Sequence, residues 1–126
     1  MIIEDEGAMG DTLSDNLSAI GFKQPLRARN GEEGLKIALK ELPDVILLDI
    51  VMSKMDGMTM LKKLRTDARG KDLKVIFLTN LTADESIMGG VITTEPSYYL
   101  VKTDHSIDDV VEKVKATLGI GQELTK

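Results

Sequence analysis

Five residues of the kind that handle charged oxygen stand directly after short apolar runs. Ile2-Ile3 precede Glu4 and Asp5, and Val45-Ile46-Leu47-Leu48 precede Asp49. Val75-Ile76-Phe77-Leu78 precede Thr79, and Tyr98-Tyr99-Leu100-Val101 precede Lys102. Carboxylates brought together repel one another and favour a hard divalent cation such as Mg²⁺, which takes oxygen ligands and keeps several waters. Such a cation can hold a phosphoryl oxygen, and a lysine ammonium and a threonine hydroxyl can hold the others. The set suits phosphoryl transfer, where the protein mainly positions groups and stabilises charge. Each residue alone has a plainer reading. Asp49 could cap a turn, and Glu4-Asp5 could belong to a solvated acidic loop with Glu6, Asp11 and Asp15. Thr79 could be an ordinary strand residue, and Lys102 a surface lysine. Five such residues at four run ends outweigh those readings.

The runs are apolar at consecutive positions, as in strands of a parallel sheet buried on both faces. A weaker strand, roughly Gln24 to Ala28, holds Pro25; proline removes a ladder donor, so an edge position is expected. Helical stripes lie between. Leu13, Leu17 and Ile20 share one face, as do Leu35, Ala38, Leu39 and Leu42, and Met58, Leu61 and Leu64. Ile107, Val110, Val111, Val114 and Leu118 form the cleanest stripe. Asn30 with Glu33, and Ser106 with Asp109, are spaced like capping boxes, and Gly119 sits where a helix-ending glycine belongs. The order βαβαβαβαβα implies a doubly wound α/β sheet, and ligands bind such sheets at the carboxyl ends of the strands. Residues 1–120 are expected to form one domain and residues 121–126 a short tail.

The 126 residues suit a single domain, with 42% hydrophobic and only 3% aromatic content, so the core must rest on aliphatic side chains. A net charge of −5 argues against sequence-independent nucleic-acid binding and against docking on an anionic membrane. The absence of cysteine excludes disulfides and thiolate metal sites. No apolar run is long enough to span a bilayer, and no signal-peptide pattern opens the chain. The basic stretch Lys62, Lys63, Arg65, Arg69, Lys71 and Lys74 reads as a solvated helix face and turn. His105, the single histidine, reads as a loop residue.

The segment DVILLDIVMSKMDG, residues 44–57, resembles the phosphoacceptor segment of bacterial response-regulator receivers. Glu4-Asp5, VIFLTN (75–80) and YYLVKTD (98–104) match that family's other signatures in order. The resemblance covers essentially the whole chain. It implies a five-stranded parallel sheet in the order 2-1-3-4-5, with Asp49 accepting phosphate. It assigns Mg²⁺, with Mn²⁺ as a substitute, to Glu4, Asp5, Asp49 and the Val51 carbonyl. By the same match Lys102 contacts the phosphoryl group, Thr79 moves toward it, and Tyr99 changes rotamer. The implied partners are a sensor histidine kinase or phosphotransfer protein and a downstream protein. The implied setting is cytoplasmic, as a monomer or weak homodimer, with no catalysis beyond self-phosphorylation and slow self-dephosphorylation.

Several positions depart from the family pattern. Ser53 stands where proline is common, which leaves a less rigid loop open. Thr103 stands where the lysine is usually followed by a cis proline. A cis bond before another residue costs about 2.5–4 kcal/mol, so a trans bond and a shifted Lys102 are open. Asn80, where a smaller residue is favoured, could crowd Asp49. Only Ile2 and Ile3 lead the first strand. Val51 and Leu81 border the expected path of hydrolytic water and cannot orient it, so slow dephosphorylation is expected. Gly89, Gly90 and the β-branched run Val91 to Thr94 predict a short or frayed helix starting near Ala83 or Asp84, with a mobile stretch from Gly89 to Ser97. Three other classes compete. A haloacid-dehalogenase-like phosphatase would need a general acid where Val51 stands. A flavodoxin-like FMN carrier would need phosphate donors where Glu4, Asp5 and Glu6 stand. A pseudo-receiver would use the same fold as a protein-binding module without phosphorylation.

Overall fold

The computed structural model describes residues 1–80 and 85–119, with the backbone alone at 85–88 and 92. Its five strands are β1 (Ile2–Ile3), β2 (Arg27–Ala28), β3 (Val45–Leu48), β4 (Lys74–Thr79) and β5 (Tyr98–Val101). All pair in parallel, in the order β2-β1-β3-β4-β5. The helices are α1 (Gly7–Ala19), α2 (Gly31–Glu41), α3 (Gly57–Thr66), α4 (Glu85–Thr94) and α5 (Ile107–Leu118), and one 3₁₀ turn covers Lys102–Asp104.

Side chains alternate across the strands, so the two-sided apolar runs feed two cores. Ile3, Ile46, Leu48, Val75 and Phe77 pack with Ala38, Met60, Leu61 and Leu64 on the side of α2 and α3. Ile2, Leu47, Ile76, Leu78 and Leu100 pack with Leu13, Leu17, Val110, Val111 and Val114 on the side of α1 and α5. The expected doubly wound sheet is therefore the observed one. Its register sets Ile3 beside Leu48, Leu48 beside Phe77, and Thr79 beside Val101. The residues that follow β1, β3 and β5, and the last residue of β4, consequently share one sheet edge.

Local signals succeeded where the stabilising groups are near in sequence. Asn30 accepts the Glu33 N–H at the start of α2, and Ser106 and Asp109 close a full capping box on α5. Gly119 ends α5 at a φ of 75°. The second strand is the edge strand, but it is shorter than expected, spanning only Arg27 and Ala28. Ile20 and Leu42 leave their stripes: each caps its helix and is largely exposed.

Where a short or frayed helix is expected, α4 runs for 10 residues, through Gly89 and Gly90 to Thr94. Tertiary contacts override its poor propensity. A Cβ at Gly90 would stand 2.8 Å from Met58 Sδ, so a missing side chain lets α4 lie close against α3. Thr93 and Thr94 donate their hydroxyls to the carbonyls of Gly89 and Gly90. The expected start at Ala83 or Asp84 lies outside the described residues. After Thr94 the chain turns at Glu95 with a φ of 51°, where glycine is the usual residue. Glu95→Gly is therefore expected to stabilise the domain by about 1 kcal/mol, from relief of left-handed backbone. Urea unfolding followed by circular dichroism checks this; an unchanged or lowered midpoint would refute it.

Candidate functional site

At the shared edge, Glu4, Asp5, Glu6, Asp49, Val51, Thr79, Asn80 and Lys102 line one cleft of about 350 Å³. Carboxylate oxygens of Glu4, Asp5 and Asp49 lie within 4.8 Å of one another. Glu4 and Asp49 are buried, and Asp5 is exposed at the mouth. Lys102 Nζ lies 2.6 Å from Glu4 Oε2 and 3.1 Å from Asp49 Oδ2. The Ile50 N–H donates to Asp49 Oδ1 at 2.7 Å, which orients the carboxylate and leaves Oδ2 on the lysine side. Glu4 Oε1 accepts the Glu6 N–H at 3.2 Å. Thr79 is fully buried at the end of β4.

The electrostatics follow from three acids and one base in a partly dry site. Burial pushes the Glu4 carboxyl above the usual glutamate range, and Asp49 adds to the push, against the pull of Lys102. Burial alone would lower the Lys102 ammonium. The bonds and charges of Glu4 and Asp49 outweigh it, so the ammonium is held above the usual lysine range and stays charged. Chemically, the cleft offers clustered hard oxygen donors, one oriented carboxylate and one ammonium that can pair with an anion.

The loop that follows Asp49 is fixed from below. The Gly57 N–H donates to the Ile50 carbonyl at 2.8 Å. A Cβ on Gly57 would come within 2.0 Å of the Asp49 carbonyl oxygen, so only glycine permits this approach. Asp56 caps α3 by accepting the Thr59 N–H, and Gly31 donates its N–H to the Met55 carbonyl. The signal for this cap is local, an aspartate directly ahead of the Met58, Leu61 and Leu64 stripe.

The response regulator receiver domain model matches residues 1–115. The chain belongs to that family. It is 31% identical over 118 residues to the DNA-binding dual master transcriptional regulator RpaA of Synechocystis sp., covering 94% of this chain and 48% of RpaA. It is 31% identical over 123 residues to a protein-glutamate methylesterase/protein-glutamine glutaminase of Archaeoglobus fulgidus, covering 91% of this chain and 34% of that protein. This receiver thus spans about half of RpaA or less of such relatives. Among solved structures, a CheY-like receiver domain protein from Methanospirillum hungatei superposes with a TM-score of 0.84 at 25% identity, covering 99% of this chain and 95% of that one. A chain of the CheX–CheY–BeF₃–Mg complex from Borrelia burgdorferi gives 0.81 at 25% identity, over 93% of this chain and 86% of that one.

The receiver's departures from the family pattern can be placed. The Lys102–Thr103 bond is trans, yet Lys102 still reaches Glu4 and Asp49 from the start of the 3₁₀ turn. Ser53 is exposed, and Lys54 beside it turns the loop with a φ of 63°. Asn80 is exposed and lines the cleft together with Asp49. Val51 lines the cleft but is 60% exposed, so it neither covers apolar core nor seals the site. Leu81 lies outside the described residues. Tyr99 is half-buried beside Phe77, with ring centroids 5.8 Å apart. Arg65 contradicts its expected place on a solvated face, because its guanidinium bonds backbone carbonyls. Among the described residues no helix is long and apolar enough to cross a membrane.

Proposed function

We propose that this receiver is a phosphorylation switch of a two-component relay, with Asp49 as phosphoacceptor. The observation that carries the reading is the double contact of Lys102 with Glu4 and Asp49 inside a cleft that also holds Asp5 and Thr79. The donor set fits Mg²⁺, or Mn²⁺ in its place: three carboxylates close together, one at the open mouth; the family match adds the Val51 carbonyl as a further oxygen. When bound, the cation supplies the positive charge that offsets both the carboxylates and the phosphoryl oxygens. Asp49 Oδ2 attacks phosphorus, and the donor's leaving group departs with the electron pair of the broken bond. The Ile50 N–H holds the other carboxylate oxygen in place meanwhile. Lys102 neutralises a phosphoryl oxygen, Thr79 takes another, and Tyr99 passes the change to the surface of α4 and β5. The donor class is a sensor histidine kinase or phosphotransfer protein, and the output is a protein partner. Residues 1–120 are the unit that does this.

The direct test is incorporation of phosphate from acetyl phosphate in Mg²⁺, together with beryllofluoride binding. Asp5→Asn should weaken Mg²⁺ binding about tenfold or more, because a neighbouring unit charge near a surface is worth a few kcal/mol. Phosphorylation should weaken with it. A calorimetric titration showing parental affinity would remove Asp5 from the metal set.

The phosphorylated state should be long-lived, because Val51 and Leu81 carry no group that can position water. Val51→Asn combined with Leu81→Glu is expected to shorten it several-fold, since positioned acid–base groups commonly contribute large factors. Decay is followed after donor removal in excess Mg²⁺. A double variant that decays no faster than its parent would refute water positioning as the control.

A further inference from the structure

Arg65, in the last turn of α3, is only half-buried, yet each of its three guanidinium nitrogens donates to backbone carbonyls. Nε donates to the Thr94 carbonyl at 2.8 Å and Nη2 to the Glu95 carbonyl at 3.2 Å. Nη1 donates to the carbonyls of Leu73 at 2.6 Å, Gly70 at 3.1 Å and Lys71 at 3.3 Å. Burial lowers its pKa, and the nearby Glu95 and Asp72 carboxylates oppose that.

The Thr94 carbonyl is the last of α4, and the Glu95 carbonyl belongs to the residue that follows it; helix geometry leaves such end carbonyls without intrahelical donors. α4 needs such help. It holds two adjacent glycines and a β-branched run, and it ends on Glu95 at positive φ instead of on glycine. A planar fork suits the task, because it presents donors in fixed directions to several acceptors at once. The same α3 starts at Gly57, whose N–H is bonded to Ile50 beside the phosphoacceptor. One helix therefore meets the cleft at its first residue and grips α4 with its last turn.

We propose that Arg65 is a positioning residue: it caps α4 from a neighbouring helix and ties α4 to α3, making the carboxyl end of α4 the fixed end of that helix. This goes beyond the phosphoacceptor reading and does not depend on it.

Amide hydrogen exchange on the full unphosphorylated chain tests the assignment. Arg65→Ala should speed exchange at Gly89 to Glu95 by about tenfold, the effect of losing one charge-assisted hydrogen bond. Exchange in α5 and Mg²⁺ affinity should stay at parental levels. Arg65→Lys keeps the charge and the apolar stem, and guards against loss of fold. It should show the same pattern at smaller size, since one ammonium cannot serve the Thr94 and Glu95 carbonyls together in the fork geometry. Faster exchange confined to residues 67–74 would make Arg65 a clamp of the α3–β4 turn and overturn the proposal. Equal acceleration in α4 and α5, in both variants, would also overturn it.

Discussion

Lys102→Met is expected to cost the Mg²⁺-free domain about 3–5 kcal/mol, the usual penalty for leaving one side of a buried ion pair uncompensated. The side chains of Lys102, Glu4 and Asp49 are only 7%, 3% and 8% exposed, so water offers little screening. Without the ammonium, Glu4 and Asp49 face each other with Asp5 close by. Mg²⁺ should recover part of the loss, about 2.7 kcal/mol at a hundredfold excess over its dissociation constant. The pH dependence has a definite sign. Glu4 already titrates above the ordinary glutamate value of 4.5 through burial and Asp49, and losing Lys102 raises it further. A carboxyl with a raised folded pKa binds protons more readily in the folded state, so its contribution favours folding at low pH and is lost as pH rises through the folded pKa. The variant's deficit should therefore shrink as pH falls from neutral toward 4.5. Urea titrations with and without Mg²⁺ measure this, and a pH-independent deficit below 1 kcal/mol would show that the ammonium does not hold the acids together.

Asp49→Asn should bring phosphate incorporation below detection while the domain stays folded. The amide keeps an oxygen for the Ile50 N–H and fits the same space. It lacks the anionic oxygen that the proposed attack on phosphorus requires. Removing one of the crowded charges also eases Glu4, which offsets the lost contact with Lys102. Stability should thus change by no more than about 1 kcal/mol, well inside the range of ordinary substitutions. Labelling from acetyl phosphate, read by intact mass and by urea unfolding of the same sample, separates the two effects. Acyl phosphate at full level in the variant would move the acceptor to another carboxylate.

The sheet and the cleft were legible because their determinants are short. Apolar runs such as Val45 to Leu48 and Val75 to Leu78 set both the strands and the places where polar residues emerge. Parallel pairing then carried Glu4, Asp49, Thr79 and Lys102 to one edge. What could not be read depends on distant groups. The residues of α4 are poor helix formers and give no sign of the donor at its end, which stands 29 positions earlier. Arg65 looked solvated because a basic run hides which member points inward. Lys102 was read as a phosphoryl contact, and its grip on Glu4 joins residues 98 positions apart, as their numbers show. The second strand was overestimated because a polar run beside Pro25 carries no sign of where pairing stops.

Strand β5 also gives this domain a built-in optical reporter. The chain has two tyrosines and no tryptophan, and both tyrosines are adjacent on β5. Tyr99 faces the core of α2 and α3 against Phe77. Tyr98 faces the opposite core, with Lys113 Nζ 5.0 Å from its ring centre. Ultraviolet emission from the unlabelled protein therefore arises from two fluorophores on one strand, viewing opposite helical layers. Substituting Tyr98 by Phe silences the α5 side and leaves a single emitter, Tyr99, against Phe77 on the side of α2 and α3.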